Sequence, residues 1–553
     1  MNMKNILIPG ISILLLFLSS CNKLLDEDVR SQVVGSYLST AKGFQDGVNA
    51  SYSSLRNIFC GIEDNGIIPN ITVFGTDTYT NGFDGGAKMW NSYNTDLNPR
   101  NFFINSNWNN LYIAVNTCNA VINRAPEVAG LTDALKNTRV GEVRFIRAQY
   151  YFLLVQLWGQ VPLSLTETKG IITDASRASV KDVYEAIIND LNFAIQNLPV
   201  IPANYGRVTK PAAENLLANV YLARATSVAK QSDDYTKAAN LAMGVINNYT
   251  YKLVDDFGKV FEQGAAEKST EVVFAIQNNK DVISNGLGNS MHLYFLMKYD
   301  DLPGMQRDIA NGRPYARYKP TDFVLNALFN RQLDSRYTKS FKRVFYCNKP
   351  GTYTINGNSV NLKAGDTALY LADREYTASE LSQIKYNVWT PSKQNERVFP
   401  TLTKFLDPQR ASVNDQAGSR DLLLYRLAET YLVAAEALMM NGKATEAVTY
   451  VNVIRRRAAN SGSTPAETAA NKLAMEITPG QLDIDFILDE RARELLGEGT
   501  RWLDLVRTGK LIERVKKYNP IAAINIQAFH TLRPIPQEQI DRTSGKFEQN
   551  SGY

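Results

Sequence analysis

Residues 141–163 read GEVRFIRAQYYFLLVQLWGQVPL. The apolar positions recur at helical spacing, and Gly159 and Pro162 close the run, so a helix is expected that ends near Trp158. Within it Ala148 stands three residues before Tyr151. The same pair returns in LANVY (Ala218, Tyr221) and in LAETY (Ala428, Tyr431). A small residue followed one turn later by an aromatic marks the first helix of a tetratricopeptide repeat. The small residue lets a partner helix approach, and the ring fills the groove beside it. A second helix follows two of these segments, in YTKAANLAMGVI and in ATEAVTYVNVIRRRA. Ala148 and Ala218 are about 70 residues apart, which matches two repeats of 34. Ala218 and Ala428 are much further apart, so a large insert is expected within a helical-repeat scaffold.

Working outward, residues 40–250 read as helix after helix, with Ser179 as the N-cap of one and Pro199 just past its end. The insert, 251–418, is rich in Gly, Asn and Pro. It carries short β-prone pieces such as EVVFAIQ and KRVFYC, and a hairpin signal at Asn356-Gly357. A second irregular stretch, 60–106, interrupts the early helices. The expected fold is mainly α: a tetratricopeptide-like scaffold with a large, irregular, loop-rich α+β insert. Long irregular segments on a rigid base are where binding residues concentrate.

The chain has 553 residues and a net charge of +5, enough for two to four lobes and a large core. The longest basic run is Arg455-Arg456-Arg457, too short to follow a phosphate backbone. Only two histidines occur, His292 and His530, and neither has metal-ligand spacing around it. No metal or cofactor is expected. Glu490 and Glu494 lie one helical turn apart, beside Arg491, Arg493 and Arg501. As an acid/base pair they would suit glycoside hydrolysis, but neighbouring guanidiniums keep carboxylates ionised, which is wrong for a general acid. They are expected to form ion pairs between helices.

At the start, Lys4 precedes an apolar stretch, Ile6 to Leu18, too short to span a bilayer. It ends in Leu18-Ser19-Ser20-Cys21, which resembles a bacterial lipobox. Residues 1–20 are therefore expected to be a signal peptide and Cys21 to carry lipid. Asp26-Glu27-Asp28 resembles a signal for export to the outer face of an outer membrane. Cys60, Cys118 and Cys347 remain, an odd number that cannot all pair internally.

Five further segments complete the pattern that begins at 141–163. They are GSRDLLLYRLAETYLVAAEAL (418–438), YVNVIRRRA (450–458), ILDERARELLGEGTRWLDLVRTGKL (487–511), LRPIPQEQI (532–540) and FEQNSGY (547–553). In this order, behind a lipobox, they resemble the RagB/SusD family of outer-membrane nutrient-uptake lipoproteins. The resemblance implies a tetratricopeptide-like half and a variable, ligand-shaping half. It also implies a non-enzymatic role as a lid on a SusC-like TonB-dependent transporter, capturing oligosaccharides or, alternatively, oligopeptides. Residues 21–250 then form the N-terminal region and 251–553 the C-terminal region, whose helices resume at 419.

The 28 Tyr, 23 Phe and 5 Trp stand in a background rich in Asn. Flat rings beside amides suit sugars, because CH-rich sugar faces dock on rings while amides and carboxylates bind hydroxyls. Trp108, Trp158 and Trp502 sit at helical spacing and are assigned to the core. That leaves Trp90, within TDTYTNGFDGGAKMWNSYN, together with Asp77, Tyr79, Asn81 and Asp84. Trp389 and Tyr299 in the insert complete the expected ligand contacts.

Overall fold

The computed structural model describes residues 35–62 and 67–553. The expected signal peptide, Cys21 and the acidic residues 26–28 lie outside that range.

Eight long helices build the scaffold: α1 (Ala41–Phe59), α2 (Phe102–Arg124), α3 (Asp133–Trp158), α4 (Val180–Asn197), α5 (Lys210–Arg224), α6 (Asp234–Asn247), α7 (Leu427–Met440) and α8 (Ala444–Ala458). Local chemistry sets their ends. The hydroxyls of Thr40, Thr132, Ser179 and Thr209 each accept a backbone N–H of the first turn. Gly159, at φ +72°, stops α3. The helices pack in chain order as antiparallel hairpins, and α6 packs directly against α7. The stack thus runs unbroken past the insert, which loops out between those two helices. Ala148, Ala218 and Ala428 are fully buried, as the close approach of partner helices requires. The spacing differs from expectation in one respect. A single hairpin, α3–α4, occupies the interval from Ala148 to Ala218, because its helices are long and the connection over 159–179 is extended.

The insert, with one strand from the stretch 60–106 and one just past residue 418, contributes short sheets. Strands β1 (Tyr79–Asn81), β2 (Val272–Ile276), β3 (Tyr318–Pro320), β4 (Val344–Tyr346), β5 (Gly351–Ile355), β6 (Asn358–Leu362), β7 (Thr367–Leu371), β8 (Asn387–Trp389) and β9 (Leu422–Arg426) pair as β1–β3, β2–β9, β4–β7–β8 and β5–β6. The β5–β6 hairpin turns at Asn356-Gly357 as expected, both with positive φ. A small apolar core, separate from the main one, gathers Met297, Tyr299, Phe345, Leu369 and Phe399 beneath this lobe.

The joint between insert and stack is ionic. In α9 (Ile484–Glu494), Glu490 and Glu494 are fully buried. Arg336 reaches both, at 2.8 and 3.0 Å, and also holds Asp334. Arg426 at the end of β9 binds Glu494 at 2.7 Å and Glu271 at 3.0 Å. Arg455 and Arg493 close on Glu490, and Arg457 on Glu494. Burial alone would raise the Glu494 carboxyl, but Arg457, Arg426 and Arg336 outweigh it and hold it down to about 2. Cys60, Cys118 and Cys347 are buried and unpaired. Among the described residues, no helix is long and apolar enough to cross a membrane.

Candidate functional site

Strand β1 carries the irregular stretch 60–106 onto the insert, in register Tyr79↔Pro320 and Asn81↔Tyr318. Beyond it the chain clings to the insert. Gly82 donates to Arg317 O, Phe83 to Glu396 O and Asp84 to Ala316 O. A Cβ on Gly82 would lie 2.1 Å from the Ala316 carbonyl oxygen, so only glycine permits this approach. The result is a ledge. Phe83 projects from it, 43 % exposed, with the Arg397 guanidinium 4.3 Å from its ring centre. Arg397 in turn pairs with Asp301. Asp84 is exposed, and Asn81 is half-buried, donating to Ser92. Trp389, half-buried on β8, packs against the insert core.

The other expected contacts lie inside the protein, and each has a packing reason. Trp90 is 0 % exposed. Arg533, from the tail segment LRPIP, stacks between Trp90 at 4.9 Å and Trp502 at 4.0 Å, with Tyr93 alongside. Arg533 has no carboxylate partner among the described residues, and it donates to the Ile71 carbonyl. Burial lowers its pKa, and the rings supply the electron-rich faces that its charge needs. Trp90 is therefore half of a cation clamp rather than an open platform. Asp77 is also fully buried, held by Arg501 at 2.5 Å and by Arg514 at 2.6 Å. Burial would raise its pKa, but those two guanidiniums keep it below the usual range. Tyr79 packs edge-on against Phe295 at 5.3 Å. Tyr299, 0 % exposed, stacks on Phe345 and donates to Gly312 O at 2.6 Å. These four are corrected from ligand contacts to core residues. Asn81, Asp84 and Trp389 remain at or near the surface, and Phe83 is the exposed ring that sequence reading passed over.

A central cleft and a surface trough lie elsewhere. The cleft is walled by Phe152, Leu222, Phe405 and Leu503, with Glu429 and Arg491 on its floor, and holds about 90 Å³. That is less than the ~150 Å³ that accommodates a benzene ring, so the cleft is too tight for a sugar. Burial pushes the Glu429 carboxyl there up to about 7. The second is a trough of three adjoining basins, of about 270, 430 and 210 Å³, around Tyr205, Lys268 and Gln277. Its tyrosines stand in ANYGR (203–207) and NNYTYK (247–252), helix connections whose sequence shows no periodic signal. Among the described residues, no group of three or more His, Cys, Asp or Glu is placed to hold a metal.

The SusD family profile matches residues 229–553, and a second profile, described as starch-binding associating with outer membrane, matches 51–222. The chain belongs to the SusD family. SusD-like protein P2 of Formosa agariphila is 26 % identical to it, over 98 % of both chains. The starch-binding protein SusD of Bacteroides thetaiotaomicron is 23 % identical, over 77 % of this chain and 75 % of that one. A laminarin-binding SusD-like protein superposes with a TM-score of 0.68, covering 93 % of this chain and all of that one at 21 % identity. The unbroken helical stack and looped-out insert are thus the SusD fold.

Proposed function

We propose that the mature chain is a non-enzymatic, outer-membrane lipoprotein, anchored through Cys21, that captures oligosaccharides at the cell surface. It passes them to a SusC-like TonB-dependent transporter. The observation that carries this reading is the match along nearly the whole chain to a family with starch- and laminarin-binding members. The ledge supplies suitable chemistry. Phe83 offers a flat face and Asp84 an exposed carboxylate for hydroxyls. The pair weighed for glycoside hydrolysis, Glu490 and Glu494, is sealed in the core by arginines, which supports binding without turnover.

The test is calorimetry against starch- and laminarin-derived oligosaccharides and a peptide digest. Oligosaccharide binding that weakens about tenfold in Phe83→Ala is expected, since a lost ring contact plus its buried area contributes on the order of 1.4 kcal/mol. Binding of peptides alone would replace the glycan reading with an oligopeptide one. Mild-detergent purification of the native membrane protein is expected to bring down a barrel larger than this chain, and Cys21→Ala to leave the membrane fraction.

A further inference from the structure

We propose that the trough beside α1 and the α4–α5 connection is a second oligosaccharide site, separate from the ledge; this rests on the glycan reading above. The trough and the ledge share no residue. Its three basins meet at Tyr205, Lys268 and Gln277, and each is larger than the ~150 Å³ that holds one six-membered ring. A ligand of several linked rings fits this form better than a single small molecule.

The trough is shaped by one close approach. Gly206, at φ +87°, brings the connection against Gln277, where a Cβ would sit 2.1 Å from the side-chain carbon. On one side of that contact lie Asn49 and Asn204. On the other, Tyr249 and Tyr251 stand edge-to-face at 6.5 Å, beside Ile201, which is 79 % exposed. Lys268 lies 5.0 Å from the Tyr205 ring centre. The amides of Asn204 and Gln277 are exposed and make no side-chain hydrogen bond to another described residue, so their donors and acceptors are open to a ligand. Half-buried tyrosine faces beside open amides are what neutral sugar rings require.

Charge and backbone narrow the class. Arg207 pairs with Glu142 at 2.6 Å, Glu267 and Asp421 stand near Lys268, and Arg56 donates to Ser53, so the cations of the lining are dispersed and form no dense basic patch for an anionic ligand. Strand β2 runs beneath the trough, but its residues are at most 8 % exposed. Its backbone is therefore closed to an added peptide strand, the contact that gives extended peptides most of their affinity at a sheet edge.

The test is calorimetry of the full chain with maltoheptaose, laminarihexaose and a tryptic peptide mixture. It compares wild type, Phe83→Ala, a Tyr249→Ala/Tyr251→Ala double variant and an Asn204→Ala/Gln277→Ala double variant. The amide variant removes exposed groups that make no side-chain hydrogen bond to another described residue, so it reports on binding even if the tyrosine variant folds poorly. Support is an oligosaccharide isotherm in which both trough variants lose affinity about tenfold in one class of site while Phe83→Ala leaves that class intact. Trough variants that leave every oligosaccharide isotherm unchanged, with wild-type binding present, overturn the second site and leave the ledge standing. Peptide binding that depends on the trough residues overturns the ligand class. A wild-type chain that binds neither oligosaccharide overturns the glycan reading for this panel, and the second site with it.

Discussion

The joint around α9 and the lobe around β4–β8 solve the same problem with opposite means. The joint buries charge: Arg336, Arg426, Arg455 and Arg457 converge on Glu490, Glu494 and Glu271 with almost no water in reach. The lobe buries apolar rings and aliphatic chains, in a core of modest size. A buried ion network tolerates little, because removing one partner strands another charge, whereas an apolar core accepts substitutions that keep its volume. The difference separates a part of the chain that holds one geometry from a part that tolerates substitution.

Acid should test the joint most severely. Glu490, Glu494, Glu498, Asp504 and Asp77 all sit below the usual carboxylate range. A depressed folded pKa gives stability that is complete above the unfolded value, near 4.5, and lost as pH falls toward the folded value, about 2 for Glu494. Between pH 7 and 4.5 other groups oppose one another. Glu429 and Asp421, pushed up to about 7 by burial, bind protons more tightly when folded and gain stability as pH falls. His292 and His530, lowered to about 4 by burial, lose it over the same interval. Urea denaturation is expected to give nearly constant stability from pH 7 to 4.5, and then a fall steeper than the ~1.4 kcal/mol per pH unit of a single proton. A steady decline beginning at pH 6.5 would mean that the histidines, not the joint, govern acid stability.

Next in size is Arg336→Leu. It leaves Asp334, Glu490 and Glu494 facing one another without their shared cation, and a cost of about 3–5 kcal/mol is expected in urea. Arg336→Lys should recover only part of this, since one ammonium cannot span three carboxylates. A loss under ~1 kcal/mol would show that the carboxylates relax toward water, and the contrast with the lobe would weaken.

Trp90 and Trp389 sharpen the contrast within one residue type. Trp90→Ala opens the clamp around Arg533, and about 3 kcal/mol is expected. Trp389→Ala removes a half-buried ring from the lobe and should cost about 1 kcal/mol. Equal losses by chemical denaturation would place both rings in one core.

The scaffold was legible because helical periodicity, small-aromatic pairs and caps are local signals. Ala148, Ala218 and Ala428 announced helix contacts before any fold was known. The ion pairs of Glu490 and Glu494 were legible too, from charges one turn apart. The ledge was not. Trp90 looked available because glycines and Asp77, Asn81 and Asp84 surround it in sequence. Its true neighbour, Arg533, lies more than 400 positions away, and cation–π contacts leave no local pattern. Asp77 was misjudged for the same reason, since Arg501 and Arg514 arrive from the far end of the chain. The trough escaped notice because its tyrosines sit in connections between helices, where neither period of two nor period of 3.6 marks a surface.

The smallest expected effect lies at the tip of the β5–β6 hairpin. Asn356 and Gly357 both adopt positive φ, +51° and +82°, as a two-residue turn between right-twisted strands demands. Asparagine tolerates this conformation and glycine has no Cβ to clash, but alanine at the second position brings strain of roughly 1 kcal/mol. Space is not the limit, because a Cβ at Gly357 would meet nothing within 4 Å. The cost of Gly357→Ala is therefore conformational, and it falls on a hairpin that reaches the insert core through Ile355, Val360 and Leu362. Hydrogen exchange should show faster opening of amides in 351–362, with α7, α8 and α9 unchanged. If the helical stack also exchanged faster, the lobe and the joint would be one cooperative unit, and the division between a rigid ionic base and a tolerant apolar lobe would fail.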